Sequence, residues 1–267
     1  MTWSEIRQVE PQRIKFMVQA VYDVLPSPAN LHVWGMIDSP ACVLCSRKGS
    51  LEHILSSCSK ALGEGRYRWR HDQVLKTVAE AIFTIVAKSN SSKQQPGKRN
   101  IAFIRAGEQP QSQPKPAAGL LTSAVDWDLQ VDLGKQLKFP DHITTTSLRP
   151  DIVLSSVSSR QVLLIELTVP WEDRIEEANE RKRSKYQELV EQCQRRGWKA
   201  RCEPIEVGCR GFAGRSLCKV FTLLGITGAA KRTAIKSTME AAERASRWLW
   251  IRRGDLWANA TGTQAGA

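Results

Sequence analysis

Arg149-Pro150-Asp151-Ile152-Val153-Leu154-Ser155-Ser156-Val157-Ser158-Ser159-Arg160-Gln161-Val162-Leu163-Leu164-Ile165-Glu166-Leu167-Thr168-Val169-Pro170-Trp171 is the stretch on which the fold turns. It holds two short, β-branched apolar runs, Ile152 to Val157 and Val162 to Val169, parted by Ser158, Ser159 and Arg160. Runs of that length with a polar break predict two strands joined as an antiparallel hairpin. A hairpin sets the start of its first strand beside the end of its second, so Asp151 and Glu166 are expected to converge at one edge of a sheet. Glu166 directly follows Leu163, Leu164 and Ile165. A carboxylate in such a run is costly to bury unless it is paired or holds a metal.

The surroundings extend the pattern. Downstream, Pro170 breaks the strand, Trp171 to Arg196 reads as a charged helix ended by Gly197, and a further strand is predicted within Lys199 to Val207. Two helices follow, near Gly214 to Leu224 and Ala229 to Arg253. Upstream, Trp127, Leu129, Val131 and Leu133 alternate with polar residues, the period of a half-buried strand. Before them, residues 89–119 are rich in Ser, Gln, Pro, Lys and Gly and read as a long loop carrying one short strand at Ile101, Ala102, Phe103 and Ile104. Asp72 to Lys88 has the apolar stripe of a core-facing helix, and Ile14, Met17, Val18, Val21 and Leu25 predict a helix face before Pro26 and Pro28. The expected class is α/β, with a mixed sheet.

Hydrolysis of a phosphodiester calls for a divalent cation that neutralises phosphate and acidifies the attacking water, and carboxylates at adjacent strand ends are a common way to hold one. Asp151 and Glu166 are therefore candidate ligands for Mg²⁺ or Mn²⁺. A lysine two residues after the glutamate would complete a familiar nuclease arrangement, but Thr168 stands there. In the following helix, Ile175, Ala178, Lys182, Lys185 and Leu189 fall near one stripe, so either lysine can be carried to the sheet. Lys185, flanked by Tyr186, is preferred as the charge-stabilising residue, with Lys182 as the alternative.

A second constellation lies upstream. Cys42 and Cys45 are separated by two residues, seven more lead to His53 and four more to Cys58. Zn²⁺ takes four thiolate or imidazole ligands tetrahedrally, and this spacing supplies them within one small knuckle. A closed set of four leaves no position for substrate, so the zinc is expected to be structural. His71 is a spare ligand. Cys193, Cys202, Cys209 and Cys218 lack such spacing and read as buried thiols.

The 267 residues carry a formal charge of +12 and are 42% hydrophobic. A positive field of that size favours polyanions, and DNA or RNA is the expected partner. Arg66, Arg68 and Arg70, interleaved with Tyr67 and Trp69, are candidate phosphate contacts with neighbouring rings for base stacking. No run of eighteen apolar residues occurs and the first residues are polar, which suggests an intracellular, nuclear protein without a membrane partner.

Helix, three strands, helix, strand, with Asp151 opening the second strand and Glu166 closing the third, resembles the core of the PD-(D/E)xK, restriction-endonuclease-like nucleases. Such cores often add an acid from the first helix, for which Glu80 or, second, Asp72 is available, with Asp132 on the first strand as a third candidate. Together with Cys42, Cys45, His53 and Cys58, Gly65-Arg66-Tyr67-Arg68-Trp69-Arg70-His71-Asp72, Arg149-Pro150-Asp151, Glu166-Leu167-Thr168-Val169-Pro170-Trp171 and Lys185-Tyr186, the chain resembles the C-terminal portion of non-LTR retrotransposon polyproteins. The resemblance implies an N-terminal helical linker (1–36), a CCHC zinc knuckle (37–62), an endonuclease core (63–225) and a basic C-terminal helix and tail (226–267). It further implies target-strand nicking of DNA, with the knuckle positioning nucleic acid. No Tyr-x-Asp-Asp polymerase motif is present. A binding remnant that no longer cuts is the alternative.

Overall fold

The computed structural model describes residues 7–91 and 119–257, so the strand expected at 101–104 and most of the 89–119 loop lie outside the described residues. In chain order come α1 (Pro11–Val21), α2 (Pro28–Val33), a cysteine-bearing segment with a π-helical turn at His53–Ser57, α3 (Ser59–Gly63) and α4 (Arg66–Ser91). Then follow β1 (Trp127–Val131), β2 (Ile152–Ser156), β3 (Gln161–Thr168), α5 (Ile175–Arg195), β4 (Lys199–Glu206), α6 (Arg215–Leu223) and α7 (Gly228–Ile251). Among the described residues no helix is long and apolar enough to cross a membrane.

The four strands form one mixed sheet in the order β1-β2-β3-β4, antiparallel except for the parallel β3–β4 pair. Strands β2 and β3 form the expected hairpin, with Ile152 opposite Ile165 and Ser156 opposite Gln161. Ile152 to Leu154 and Val162 to Ile165 are apolar without a break because both sheet faces are covered. Ile152, Leu154, Leu163, Ile165 and Leu167 pack into the core shared with α4, α6 and α7. Val153, Val162 and Leu164 pack on the other face, against Tyr186, Leu189 and Cys193 of α5. Since side chains alternate along a strand, Glu166 shares the face of Val162 and Leu164 and meets α5.

Helix α5 ends where glycine permits it. Gly197 has φ of +82°, its N–H bonds Gln194 and that of Trp198 returns to Cys193, closing the helix in a Schellman turn. Gly49 is needed for a different reason: its φ is not positive, but a Cβ there would come within 3.0 Å of Pro28 and 3.1 Å of the Cys42 backbone.

Two helices depart from the expected stripes. In α1 the buried residues are Phe16 and Ala20, while Val18 and Val21 are half exposed. The docked face is set by Arg13, whose Nε lies 2.5 Å from the buried Glu243 on α7, and by Arg210, which donates to the Ala20 carbonyl. Helix α4 begins at Arg66 rather than Asp72, because its first turns bury Arg66 and Arg70 against carbonyls rather than presenting an apolar stripe. The inner residues of the cysteine segment, Leu51, Ile54 and Leu55, belong to the same core as α4 and the sheet.

The β2–β3 turn is held by Asp126, whose carboxylate accepts from Ser156 Oγ, Ser158 Oγ and the Ser158 N–H at 2.5 to 2.8 Å. Those donors hold its pKa down to about 2 from 3.8. A depressed carboxylate pKa contributes stability above the unfolded value that disappears as pH falls through the folded one. Asp126→Asn is therefore expected to lower urea stability at pH 7 by roughly 1 kcal/mol, given the exposure of the site. The difference from wild type should close as pH falls from about 4 to about 2; an unchanged gap at pH 2 would show that ionisation of Asp126 is not its source.

Candidate metal centre and cationic cleft

Cys42 enters a short antiparallel bridge, Ala41 opposite Lys48, and its backbone bonds Arg47 and Ser46 while Ser46 takes a left-handed φ of +59°. This tight turn brings Cys45 round beside Cys42. An α-helix would set His53 and Cys58 about 140° apart around its axis. The wider π-helical turn between them, ending in extended backbone at Cys58, lets both reach the two sulfurs. The ligand atoms of Cys42, Cys45, His53 and Cys58 all lie within 4.8 Å of one another, with Cys45 Sγ 3.1 Å from His53 Nε2. Four ligands at about 2.0 to 2.3 Å from one ion stand roughly 4 Å apart, so this cluster can hold a metal such as zinc with little movement. Burial pushes the Cys58 thiol up to about 11, so an entering ion displaces protons and binds more weakly as pH falls.

Tyr67 ties this cluster to α4. Its hydroxyl accepts from the Cys58 N–H at 3.0 Å and donates toward the Ile54 and His53 carbonyls at 2.9 and 3.2 Å. Arg70, one turn on, donates to Leu55 O at 2.7 Å, to Val169 O at 3.0 Å and to Ser246 Oγ at 3.2 Å. Arg66 donates to the carbonyls of Arg252 and Asp255 and pairs with Glu64.

These contacts correct the expected phosphate-binding set. Arg66 and Arg70 are each only 2% exposed and their terminal guanidinium nitrogens are engaged by carbonyls and by Ser246 within the protein, so neither is presented as a surface contact for nucleic acid. Tyr67 is committed to the knuckle and Trp69 packs edge-on against Trp257. Arg68 differs: half-buried, it pairs with Asp72 at 2.9 Å and lines a cleft.

The cleft has a volume of about 670 Å³ and runs from the end of the knuckle to the sheet edge. Arg68, Lys135, Arg174, Arg181 and Lys182 line it with His71, against Asp151 and Glu177. At its sheet end the hairpin brings Asp151 and Glu166 together. The Asp151 N–H donates to Glu166 Oε1 at 3.1 Å, and Asp151 Oδ2 accepts from the Leu167 N–H at 2.8 Å. Both carboxylates are almost fully buried, at 5% and 1% exposure. Burial and the neighbouring Asp151 charge hold the Glu166 carboxyl above the ordinary range; Asp151, although burial opposes ionisation, is held below it by His71, Lys182 and the Leu167 N–H.

The lysine at this pair is Lys182, whose Nζ lies 2.5 Å from Glu166 Oε2. Lys185 instead donates to Tyr186 Oη at 2.9 Å and sits over that ring. The docked face of α5 makes the choice: its buried residues are Ala178, Tyr186, Leu189 and Cys193. Lys182 falls at the centre of that stripe, four residues from Ala178 and four from Tyr186, whereas Lys185, four residues before Leu189, falls at its edge.

His71 is no ligand of the cysteine cluster; its Nε2 lies 3.2 Å from Asp151 Oδ2 and its Nδ1 3.0 Å from Asp72 Oδ1. Of the further acids considered, Asp72 reaches the pair only through His71, Asp132 is buried accepting from the Leu137 N–H, and Glu80 lies on an exposed face of α4. Thr168, two residues after Glu166, lines the cleft with a buried Oγ1 that lacks a hydrogen-bond partner. Cys193 and Cys209 are fully buried, while Cys202 and Cys218 are partly exposed. No family model matches the chain, and no curated protein matches it.

Proposed function

We propose that the chain is a divalent-metal-dependent DNA endonuclease of the restriction-endonuclease-like, retrotransposon-derived kind, with a zinc knuckle fastened to its nuclease core. The observation that carries this reading is the joining of Asp151, Glu166 and Lys182 at the sheet end of a cationic cleft. Two carboxylates sharing a buried site favour a cation between them, because it relieves both their burial and their mutual repulsion. The donor set is all oxygen, which suits Mg²⁺ or Mn²⁺. Such an ion would supply an acidified water and neutralise the reacting phosphate. Lys182 at present occupies the cation's place beside Glu166; displaced from it, the ammonium stands at the cleft wall, where it can stabilise charge on the phosphate. The cations of the two walls, Lys135 from one loop and Arg174 and Arg181 from the α5 side, supply the attraction for a polynucleotide backbone in place of Arg66 and Arg70.

Nicking of supercoiled plasmid in Mg²⁺ or Mn²⁺ tests this directly. Wild type and Lys185→Ala should both nick, and Lys182→Ala should be slower by about 100-fold with little change in DNA affinity. No metal-dependent nicking by wild type would remove the reading. The same ion pair supports a second reading, a nucleic-acid-binding module without turnover, since Lys182 satisfies Glu166 with no metal at all. Binding that falls steeply with salt, without cleavage in any divalent metal, would select it.

For the knuckle, metal analysis should find about one zinc per chain, held by three sulfurs and one nitrogen in X-ray absorption. Cys45→Ser should lose that zinc and, because Tyr67 carries the knuckle's hydrogen bonds into α4, should loosen residues 53–58 and 66–71 together in hydrogen exchange. Equal zinc in the two proteins would discard the assignment.

A further inference from the structure

His71 lines the cleft and takes no part in the metal site proposed above. It lies on the second turn of α4, its side chain is 15% exposed, and each of its ring nitrogens faces a carboxylate oxygen. The chain of contacts runs from Arg68 to Asp72 at 2.9 Å, from Asp72 to His71 Nδ1 at 3.0 Å, and from His71 Nε2 to Asp151 Oδ2 at 3.2 Å. Arg68 also donates to the Asp132 carbonyl at 3.3 Å, which anchors the outer end to the segment that follows β1. Arg70, the preceding residue, fixes this part of α4 to the carbonyls of Leu55 and Val169. The ring is thus held from both sides, on a turn of α4 that Arg70 ties to two other segments.

We infer that His71 is a positioning residue for Asp151: it donates from Nε2 to Oδ2 and, with the Leu167 N–H on the same oxygen, fixes the carboxylate so that Oδ1 is the oxygen offered to a divalent ion. This rests on the metal-site reading above and names a residue which that reading leaves without a role. Two donors on one oxygen restrict the rotation of the carboxylate, and a ligand already held in its binding orientation loses less freedom when the ion arrives. Asp72 and Arg68 act one step further out, by holding the ring plane through Nδ1. His71 touches neither phosphate nor water in this scheme, and its effect on cleavage passes through the metal ligand.

The test is Mn²⁺ binding by the zinc-loaded chain without DNA, followed by the paramagnetic resonance of free and bound Mn²⁺, with Mn²⁺-dependent nicking measured beside it. His71→Ala should weaken Mn²⁺ binding roughly 10- to 100-fold and raise the Mn²⁺ needed for nicking by the same factor, while nicking at saturating Mn²⁺ stays near wild type. His71→Gln, whose amide N–H₂ can donate to Asp151 Oδ2 in place of Nε2, should recover most of the affinity. Zinc content and a cooperative melting transition report whether either variant is folded; both should be kept, with His71→Ala melting below wild type because buried Asp151 loses a partner. Wild-type Mn²⁺ affinity in His71→Ala overturns the inference, as does a glutamine variant no better than alanine. A ¹⁴N coupling in the bound Mn²⁺ spectrum also overturns it, since it would make His71 a ligand. The metal-site reading fails separately, if Asp151→Ala binds Mn²⁺ as wild type does.

Discussion

Asp151→Ala is expected to abolish metal-dependent nicking, by a factor of about 1,000 or more, while DNA affinity falls only a few-fold. Asp151 is the one carboxylate of the pair that lines the cleft; Glu166 lies beyond it, with Lys182 at its outer oxygen. Removing Asp151 therefore takes away the ligand an arriving ion would meet first and leaves Glu166 closed by its lysine. Affinity is expected to be spared because the cations of the cleft that would attract DNA under the proposed function, Arg68, Lys135, Arg174 and Arg181, do not bond the Asp151 carboxylate. The substitution also strips an acceptor from the Leu167 N–H and from His71. Asp151→Asn is the companion variant, since its amide oxygen can still accept the Leu167 hydrogen bond. Both should be inactive, and the asparagine variant should melt near wild type. Metal-dependent nicking at the wild-type rate by a folded Asp151→Asn protein would remove Asp151 from the reaction.

Arg70→Met is expected to destabilise the fold by about 3 kcal/mol, the largest stability loss of any single change considered. The guanidinium is buried and gives hydrogen bonds to Leu55 O, Val169 O and Ser246 Oγ, which come from the π-helical turn, the exit of β3 and α7. Methionine fills similar volume but donates nothing, so two carbonyls and a hydroxyl are left buried without a donor, each at a cost of about 1 to 3 kcal/mol. Part of that loss is offset because a buried charge, with its own Nε unpartnered, is no longer taken out of water. Arg70→Lys should rescue little, because one ammonium cannot span three acceptors that a planar fork reaches. Urea unfolding measures the loss, and hydrogen exchange should place the loosening at 53–58 and 167–171. A loss under about 0.5 kcal/mol would show that these bonds contribute nothing net.

Local sequence determined the hairpin, because two β-branched runs separated by a short polar break have few other ways to bury both faces, and pairing by residue count then sets Asp151 beside Glu166. It determined the metal-capable cluster as well: Cys-x-x-Cys and a histidine and cysteine a few residues on meet through one tight turn and one π-helical turn, with Tyr67 of α4 fastening the second pair. The end of α5 was equally local, resting on the backbone freedom of Gly197 alone.

Tertiary structure decided which lysine reaches the pair, since Lys182 and Lys185 differ only in rotation about α5 and that rotation is fixed by how Tyr186 and Leu189 dock on the sheet. It decided that Arg66 and Arg70 are fasteners and not phosphate contacts, because their acceptors are carbonyls up to 189 residues away in the chain, which no local pattern encodes. It decided the place of His71, near enough to the cysteines in sequence to pass for a spare ligand and carried by α4 to Asp151. Periodicity and spacing report groups that meet within a turn or a hairpin. A buried arginine, a cleft histidine and the rotation of a docked helix are set by partners distant in the chain, and only the folded arrangement brings those partners into contact.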